Sequence, residues 1–188
     1  MISHTTRQRV YHNRYQQVFR VETAVGRQRK EYFVTDYGQR AGLIVTKGNS
    51  VLLVRQYRLL LDGRSWEIPG GAVEEGETAA QAAARECLEE TGIQCRQVRR
   101  LAVFQPGLDT LHNPTHVFFS DTFDDLSHGL AYRSVRGQCQ WVPLARCIAM
   151  VFGQRIVDSL SIIALLSYQH KRSELSGGRL RRASQERR

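Results

Sequence analysis

Acidic side chains cluster in one stretch of the chain, where a glycine-rich segment is followed by a helix-forming one. Residues 71–77 form the glycine-rich part, and residues 85–93 carry three further glutamates. In a helix Glu86 and Glu90, four residues apart, lie on one face, and Glu89 joins the same stripe. Carboxylate oxygens are the ligands that Mg²⁺ prefers, and a bound cation would relieve their mutual repulsion. Taken alone, these glutamates favour a solvated acidic helix face, with a metal site as the alternative.

Two neighbouring features would suit a metal site. Gly70 and Gly71 let the main chain come close to a metal, so a backbone carbonyl there could be an additional ligand. Arg85 stands four residues before Glu89 and can pair with it, which would hold the rotamer of that glutamate.

The spacing of this stretch resembles the signature of the Nudix hydrolase family, G-x5-E-x7-R-E-U-x-E-E-x-G-U, in which U is apolar. The letters of the signature fall on Gly71, Glu77, Arg85, Glu86, Glu89, Glu90 and Gly92. The resemblance implies an α/β fold, a Nudix-type α/β/α sandwich with a mixed sheet, here preceded by N-terminal antiparallel strands. It also implies hydrolysis of a diphosphate linkage with Mg²⁺, for which Mn²⁺ could substitute.

The resemblance also assigns roles to the residues of the motif. Glu86 and Glu90 would be metal ligands, and the Gly70 carbonyl would be a third. Glu89 would be a further ligand or the catalytic base, and Arg85 would orient it. All four charged side chains, Arg85 included, are candidate catalytic residues.

Further segments are similar to the ADP-ribose pyrophosphatase and nucleoside diphosphate sugar branch of that family. They are residues 56–58, residues 66–71, and Pro106-Gly107, which lies 13 residues beyond Ile93. The branch implies a nucleoside diphosphate-type small-molecule substrate. The residues expected to bind it are Arg58, Glu67, Pro106 and Gly107. Arg58 could instead form a surface ion pair. Tyr57 and Trp66 are interpreted as core or dimer packing residues, with base stacking as the alternative.

The catalytic base is the part of this pattern that departs from the branch. Many members supply a glutamate from a loop before the last strand, but residues 126–173 contain one acid, Asp158, and residues 130–136 are basic. Glu89 or another motif carboxylate could be the base, or the arginines of the loop could bind an anionic substrate. Asp109 and His112 are candidates for the acidic position after Pro-Gly. His112 and His116 could be catalytic, although such histidines are more often loop or core residues.

The hydrophobic pattern supplies elements that would position these residues. Alternating stretches predict strands at 15–24, 31–34, 41–45, 51–54, 65–68, 99–104, 116–120 and 139–142. Residues 78–91 predict a helix, because Thr78 and Gln81 form a capping box and Gly92 is a common helix end. Helices over 144–152 and 158–170 close the domain.

Domain organisation follows from these elements and from charge. Residues 1–40 are expected to be a strand extension that forms part of a homodimer interface, and residues 41–170 the catalytic domain. Residues 171–188 are basic and are expected to be disordered. The net charge of +9 is carried by the two ends, because residues 1–40 and residues 171–188 each contribute +5. A solvated tail is favoured over nucleic-acid binding, because no aromatic residues are interleaved with its arginines.

Composition excludes other classes of protein. No apolar run approaches the ~18 residues of a membrane span, and the N-terminus has no apolar signal region. Four cysteines without a C-x-x-C pair indicate reduced thiols in a cytoplasmic protein.

Three functional hypotheses remain. The first is an enzyme that splits ADP-ribose or a similar nucleotide sugar into two monophosphates. The second is hydrolysis of another diphosphate, in a dinucleotide cofactor or at an RNA 5′ end. The third is a non-catalytic sensor of ADP-ribose-like ligands, which the complete set of motif glutamates disfavours.

Overall fold

An N-terminal sheet is the first element of the chain. The computed structural model describes residues 2–25, 27–126 and 138–185. Strands β1 (Ile2–His12), β2 (Gln17–Val25) and β3 (Gln28–Asp36) pair antiparallel in that order. A two-residue strand, β10 (Leu111–His112), joins the outer edge of β3 in parallel. The predicted antiparallel extension is present, and β1 is a strand that the sequence pattern did not predict.

A second sheet of seven strands forms the centre of the molecule. Its strands are β4 (Arg40–Lys47), β5 (Ser50–Arg58), β6 (Gly63–Glu67), β7 (Gly70–Ala72), β9 (Arg99–Phe104), β11 (Thr115–Ser120) and β13 (Gln138–Pro143). The main order is β13-β5-β4-β11-β9, with β6 paired to β5 and β7 paired to β4. β4 and β11 run parallel and the other pairs run antiparallel, so the sheet is mixed. Strands β8 (Ile93–Cys95) and β12 (Phe123–Asp125) pair apart from it.

Three helices cover the two faces of this sheet. They are α1 (Ala79–Thr91), α2 (Leu144–Phe152) and α3 (Ser159–Gln185). Successive strand residues point to opposite faces, and β4 buries both. Leu43 belongs to the core beneath α1 with Cys87, whereas Ile44 belongs to the core beneath α2 and α3 with Leu160. Helices on both faces of a mixed sheet confirm the predicted α/β/α sandwich.

The ends of α1 agree with the sequence pattern. Thr78 is the N-cap, and its hydroxyl accepts a hydrogen bond from the Gln81 amide while the Gln81 side chain accepts one from the Thr78 amide. Gly92 ends the helix in the left-handed region, with φ of 74°. A left-handed residue suits glycine, which has no Cβ to clash.

The last helix is longer than predicted. We expected it to end near residue 170 and to be followed by a disordered tail, but α3 continues to Gln185. The composition of residues 171–185 is polar and basic, which suggested disorder, yet it contains no proline to end a helix. Within the described residues, no helix is both long and apolar enough to cross a membrane.

Candidate active site

Two of the motif glutamates, Glu86 and Glu90, lie on the wall of a cavity between α1, the central sheet and the N-terminal sheet. The cavity has a volume of about 790 Å³. Glu86 and Glu90 form the acidic side of the cavity, next to Gly70 and Gly71. Arg58, at the end of β5, adds a positively charged side chain to the lining. A helix places residues four apart on one face, which is why both glutamates reach the same space.

Glu90 is almost buried, with 8% of its surface exposed. One carboxylate oxygen accepts a hydrogen bond from the Gln56 side chain. The other accepts one from the Gly70 amide at 3.2 Å. The side chain is therefore oriented from two strands, β5 and β7. The Cys139 thiol donates to the Glu90 backbone carbonyl at 3.5 Å, and burial raises the pKa of that thiol.

Glu86 packs directly against the backbone of Gly71. A Cβ at Gly71 would overlap the Glu86 carboxylate, so only glycine leaves room for it there. A Cβ at Gly70 would meet the backbone of β4 instead, 2.5 Å from the Ala41 carbonyl oxygen. The two glycines therefore serve different contacts, one with the motif helix and the other with the sheet.

Arg85 ties α1 to the segment before it. Its guanidinium donates to both oxygens of Glu77 at 3.2 and 2.8 Å, and to the Ala72 carbonyl at 3.0 Å. It also donates to Glu86 at 2.9 Å. The hydrogen bonds to Glu77 are the main cause of a raised pKa at Arg85, and they lower the pKa of Glu77.

The expected pair between Arg85 and Glu89 is the longer contact, at 3.5 Å. Glu89 has 49% of its side chain exposed. It is not among the described residues that line the cavity. Arg85 therefore contacts Glu86 and Glu77 more closely than Glu89. The contact with Glu77 depends on the folded position of residues 72–77.

The predicted substrate residues Arg58 and Glu67 form an ion pair. Glu67 is buried, and the guanidinium of Arg58 bonds to both of its carboxylate oxygens, one of them at 2.8 Å from Nε. These hydrogen bonds raise the pKa of Arg58, although burial acts in the opposite direction. Arg58 lines the cavity, whereas the described lining does not include Glu67. The position of Glu67 thus favours holding Arg58 over contacting a substrate directly.

Pro106 and Gly107, also expected to bind substrate, follow β9 in a loop. Pro106 is exposed, and Gly107 lies close behind Leu111, where a Cβ would be 2.9 Å from the Leu111 Cβ. Among the described cavity-lining residues are Leu111 and Asn113, but neither residue of Pro106-Gly107. The role proposed for these two residues remains a prediction.

His112, His116 and Asp109 are not among the described residues that line the cavity with Glu86 and Glu90. His112 contacts Asp36 at 2.9 Å, across the β3–β10 pair. His116 is in β11, where burial lowers its pKa and the charge of Arg100 adds to the effect. Asp109 is exposed and accepts a hydrogen bond from the Thr110 amide. The basic segment 130–136 lies outside the described residues.

Several cavity residues have no signal in the sequence. They are Tyr15, Tyr37, Gln39, Arg40 and Asn113. Tyr15 lies between β1 and β2, Tyr37 and Gln39 lie between β3 and β4, Arg40 begins β4, and Asn113 follows β10. The pairing of β10 with β3 joins segments about 75 residues apart, which no local periodicity can predict.

The donor set fits a hard divalent cation. Two carboxylates, Glu86 and Glu90, stand beside the backbone of Gly70 in an open cavity, and oxygen donors with room for water suit Mg²⁺. Within the described part of the chain, no three His, Cys, Asp or Glu side chains are gathered closely enough to hold an ion by themselves. A cation there would need backbone oxygens or water as further ligands.

Known proteins resemble this chain along most of its length. A family model described as NUDIX domain matches residues 36–156. The chain is 31% identical over 147 residues to the CMP-5′-(N-acetyl-N-hydroxy-3-aminopropyl)phosphonate hydrolase of Streptomyces rubellomurinus, covering 78% of this chain and 71% of that protein. It is 32% identical over 101 residues to an ADP-ribose pyrophosphatase of Bacillus subtilis, covering 54% of this chain and about half (55%) of that protein.

Solved structures show the same fold. A crystal structure of an ADP compounds hydrolase matches with a TM-score of 0.76 and 17% sequence identity, covering 95% of both chains. The solution structure of the E. coli ORF135 protein matches with a TM-score of 0.58 over 72% of this chain and 91% of that one, at 22% identity.

Proposed function

Since the chain belongs to the Nudix hydrolase family, we propose that it cleaves, with Mg²⁺, a nucleoside diphosphate linked to another group. ADP-ribose or a related nucleotide sugar is the favoured substrate, and the products are two monophosphates. The observation that carries the proposal is the shared position of Glu86, Glu90 and Arg58 on one cavity wall. The cavity volume of about 790 Å³ is within the range of small-molecule sites.

The residues of the chain would divide the work between metal and substrate. Glu86, Glu90 and the Gly70 carbonyl would hold Mg²⁺ or Mn²⁺. When bound, such a cation neutralises diphosphate charge and makes water more acidic. Gln56 and the Gly70 amide keep the Glu90 carboxylate in one orientation. Arg58, held by Glu67, presents its remaining donors to the anionic substrate.

The motif supplies one candidate for the catalytic base. Glu89 is the candidate from the motif, and half of its side chain is exposed, so water can reach the carboxylate. Basic residues of segment 130–136 would bind substrate charge in the alternative.

A second substrate class is supported by one relative. The Streptomyces rubellomurinus protein is named for hydrolysis of CMP joined to a phosphonate, and its similarity extends over 78% of this chain. A linkage of this kind presents the same two neighbouring phosphorus centres as a diphosphate. Dinucleotide cofactors and RNA 5′ ends are further candidate substrates, because they contain a diphosphate linkage that the same reaction would cleave.

We also propose a homodimer that forms through the N-terminal extension, and a cytoplasmic location. Large apolar side chains on this extension are exposed in the single chain, including Val10, Tyr11 and Phe33. Exposed apolar surface of this kind is typical of a contact between subunits.

Product analysis of a substrate panel tests the reaction. The panel contains ADP-ribose, other nucleotide sugars, a CMP-linked phosphonate, a dinucleotide cofactor and capped RNA, each with and without Mg²⁺. We expect AMP and ribose 5-phosphate from ADP-ribose only with Mg²⁺. Absence of turnover for every compound would contradict the enzymatic proposal.

Two variants test the residues. Glu86→Gln and Glu90→Gln each remove a ligand charge, so kcat/KM should fall by more than about 100-fold, beyond the effect of losing an outer-shell partner. Glu75→Gln, an exposed glutamate of the preceding loop, is the matched control and should retain activity. Full activity in both motif variants would rule out these two ligands.

A further inference from the structure

The first turn of α3 contains a buried polar network. Asp158 precedes the helix, and one of its carboxylate oxygens accepts hydrogen bonds from the Ser161 amide at 2.8 Å and the Ser161 hydroxyl at 2.7 Å. The Asp158 backbone carbonyl accepts a hydrogen bond from the Ile162 amide at 3.0 Å. Ser161 is completely buried. Asp158 therefore caps the helix and also fixes the hydroxyl of Ser161.

That hydroxyl also receives a hydrogen bond from a distant segment. The Ile68 amide donates to Ser161 Oγ at 3.0 Å, across 93 residues of sequence. Ile68 and Pro69 connect β6 to β7, and both are buried. The hydroxyl thus accepts from Ile68 while it donates to Asp158, so both of its hydrogen-bonding functions are used.

The same segment is packed tightly between α3 and β4. The Leu43 amide donates to the Pro69 carbonyl at 3.0 Å. A Cβ at Gly42 would lie 2.9 Å from a methyl carbon of Leu160 and 3.1 Å from one of Ile68. Little space remains for this segment to move without displacing α3.

Gly70 lies two residues after Ile68 and lines the cavity. The contacts that hold Ile68 in place therefore also restrict the position of Gly70. Its amide donates to Glu90, and Glu86 packs against Gly71. The path from α3 to the motif glutamates is therefore continuous, through Asp158, Ser161, Ile68 and Gly70. Pro69 stiffens the step between Ile68 and Gly70 because its φ is fixed by the ring.

Asp158 also influences the arginine of the cavity. The pKa of Arg58 is raised first by its hydrogen bonds with Glu67, burial opposes this, and the charge of Asp158 adds to the increase. Asp158 is thus close enough for its charge to act on Arg58, although it is not among the described cavity-lining residues.

We propose that Asp158 and Ser161 are positioning residues for the reaction, which hold the turn at Gly70 and Gly71 in register with Glu86 and Glu90. The inference rests on the proposed function, because it assigns these residues a role in the metal site. A misplacement of about 1 Å in a site of this kind can cost on the order of 100-fold in rate. The pair therefore does more than cap α3.

Ser161→Ala is the direct test, and Ser159→Ala, an exposed serine in the same helical turn, is its matched control. Three measurements are made on each purified protein: exchange of the Ile68 amide hydrogen by NMR, Mn²⁺ affinity by calorimetry, and kcat and KM. For Ser161→Ala we expect faster exchange at Ile68, and about tenfold losses in Mn²⁺ affinity and in kcat. Ser159→Ala should match the wild type in all three.

Asp158→Ala is the second variant, in case Ser161→Ala does not fold, because it leaves the apolar core intact. It should change the same three quantities in the same direction and to a smaller extent. Unchanged Mn²⁺ affinity and kcat in a folded variant with faster Ile68 exchange would overturn the proposal.

The wild-type protein separates this proposal from the proposed function. If the wild type binds Mn²⁺ but cleaves no compound, the proposed function fails, and the Mn²⁺ affinities of the variants still test the positioning role. If it neither binds nor cleaves, both fail.

Discussion

At the scale of single residues, the absence of a side chain at Gly71 matters as much as the charges around it. The Glu86 carboxylate occupies the place that a Cβ at Gly71 would take. The obstructing atoms are the far end of a flexible side chain, so the fold could adjust by moving Glu86. The cost would then fall on the position of a metal-ligand candidate.

We therefore expect Gly71→Ala to separate activity from stability. Its melting temperature should stay within a few degrees of the wild type, since less than about 1 kcal/mol is at stake in moving the side chain, while kcat/KM falls at least tenfold. Gly63→Ala is the control, because its Cβ would meet only the Leu61 carbonyl oxygen at 3.4 Å. Equal activity in the two variants would contradict the role given to Gly71.

The residues of the motif could be predicted from spacing because helical periodicity determines which of them meet. Glu86 and Glu90 are together for this reason. The partners of Arg85 could not be predicted in the same way, because Glu77 and the Ala72 carbonyl reach it through the folded path of the preceding loop. An ion pair was one of the two alternatives for Arg58, but its partner Glu67 could not be predicted, since the β5–β6 hairpin decides which side chains meet there.

At the scale of elements, the short strand β10 joins the N-terminal sheet to the cavity. Asp36 at the end of β3 contacts His112 of β10 at 2.9 Å and Arg7 of β1 at 3.3 Å. It also accepts a hydrogen bond from the Gly38 amide. Partial burial works against the ionised form, but the hydrogen bonds with His112 and Gly38 outweigh it and lower the pKa of Asp36.

This pKa has a consequence for stability. The pKa of Asp36 is lower in the folded state than the ordinary value of 3.8. The charge of Asp36 therefore stabilises the folded protein at pH values above 3.8, and this contribution is lost as the pH falls through the folded-state pKa. Asp36→Asn should lower the free energy of unfolding by about 1 kcal/mol at pH 7 and by nothing below that pKa. Urea unfolding at several pH values measures this, with the exposed Asp109→Asn as control. A difference that is independent of pH would refute it.

The elements themselves were predicted unevenly. The helix that starts after Thr78 has both end signals within its own sequence, so its bounds were correct. β1 has a mixed polar composition and depends on pairing with β2, so local alternation did not show it. The extension of α3 to Gln185 was missed because polarity was interpreted as disorder.

At the scale of the whole molecule, the N-terminal sheet leaves apolar side chains exposed. Phe33 has 52% of its surface accessible in the single chain. A homodimer would cover such a surface. Burial of apolar area stabilises a contact by roughly 25 cal/mol per Å², so burial of the Phe33 ring would stabilise the dimer.

Sedimentation velocity measures this assembly. We expect a mass close to twice the 21.5 kDa of one chain, and a shift toward the single-chain mass in Phe33→Asp. The control is Phe152→Asp, which changes an exposed phenylalanine at the end of α2 instead. A wild-type protein that sediments as a single chain at all accessible concentrations would contradict the dimer.

The order of synthesis gives the contact between Ile68 and Ser161 a further meaning. The motif and its glycines leave the ribosome early, but the serine that accepts the Ile68 amide is made 93 residues later. At common elongation rates this is a wait of about 5–20 s. During that interval the face of the sheet that α3 will cover is open to solvent and to other chains. The nascent protein therefore carries every motif glutamate before it carries the helix that holds their turn in place.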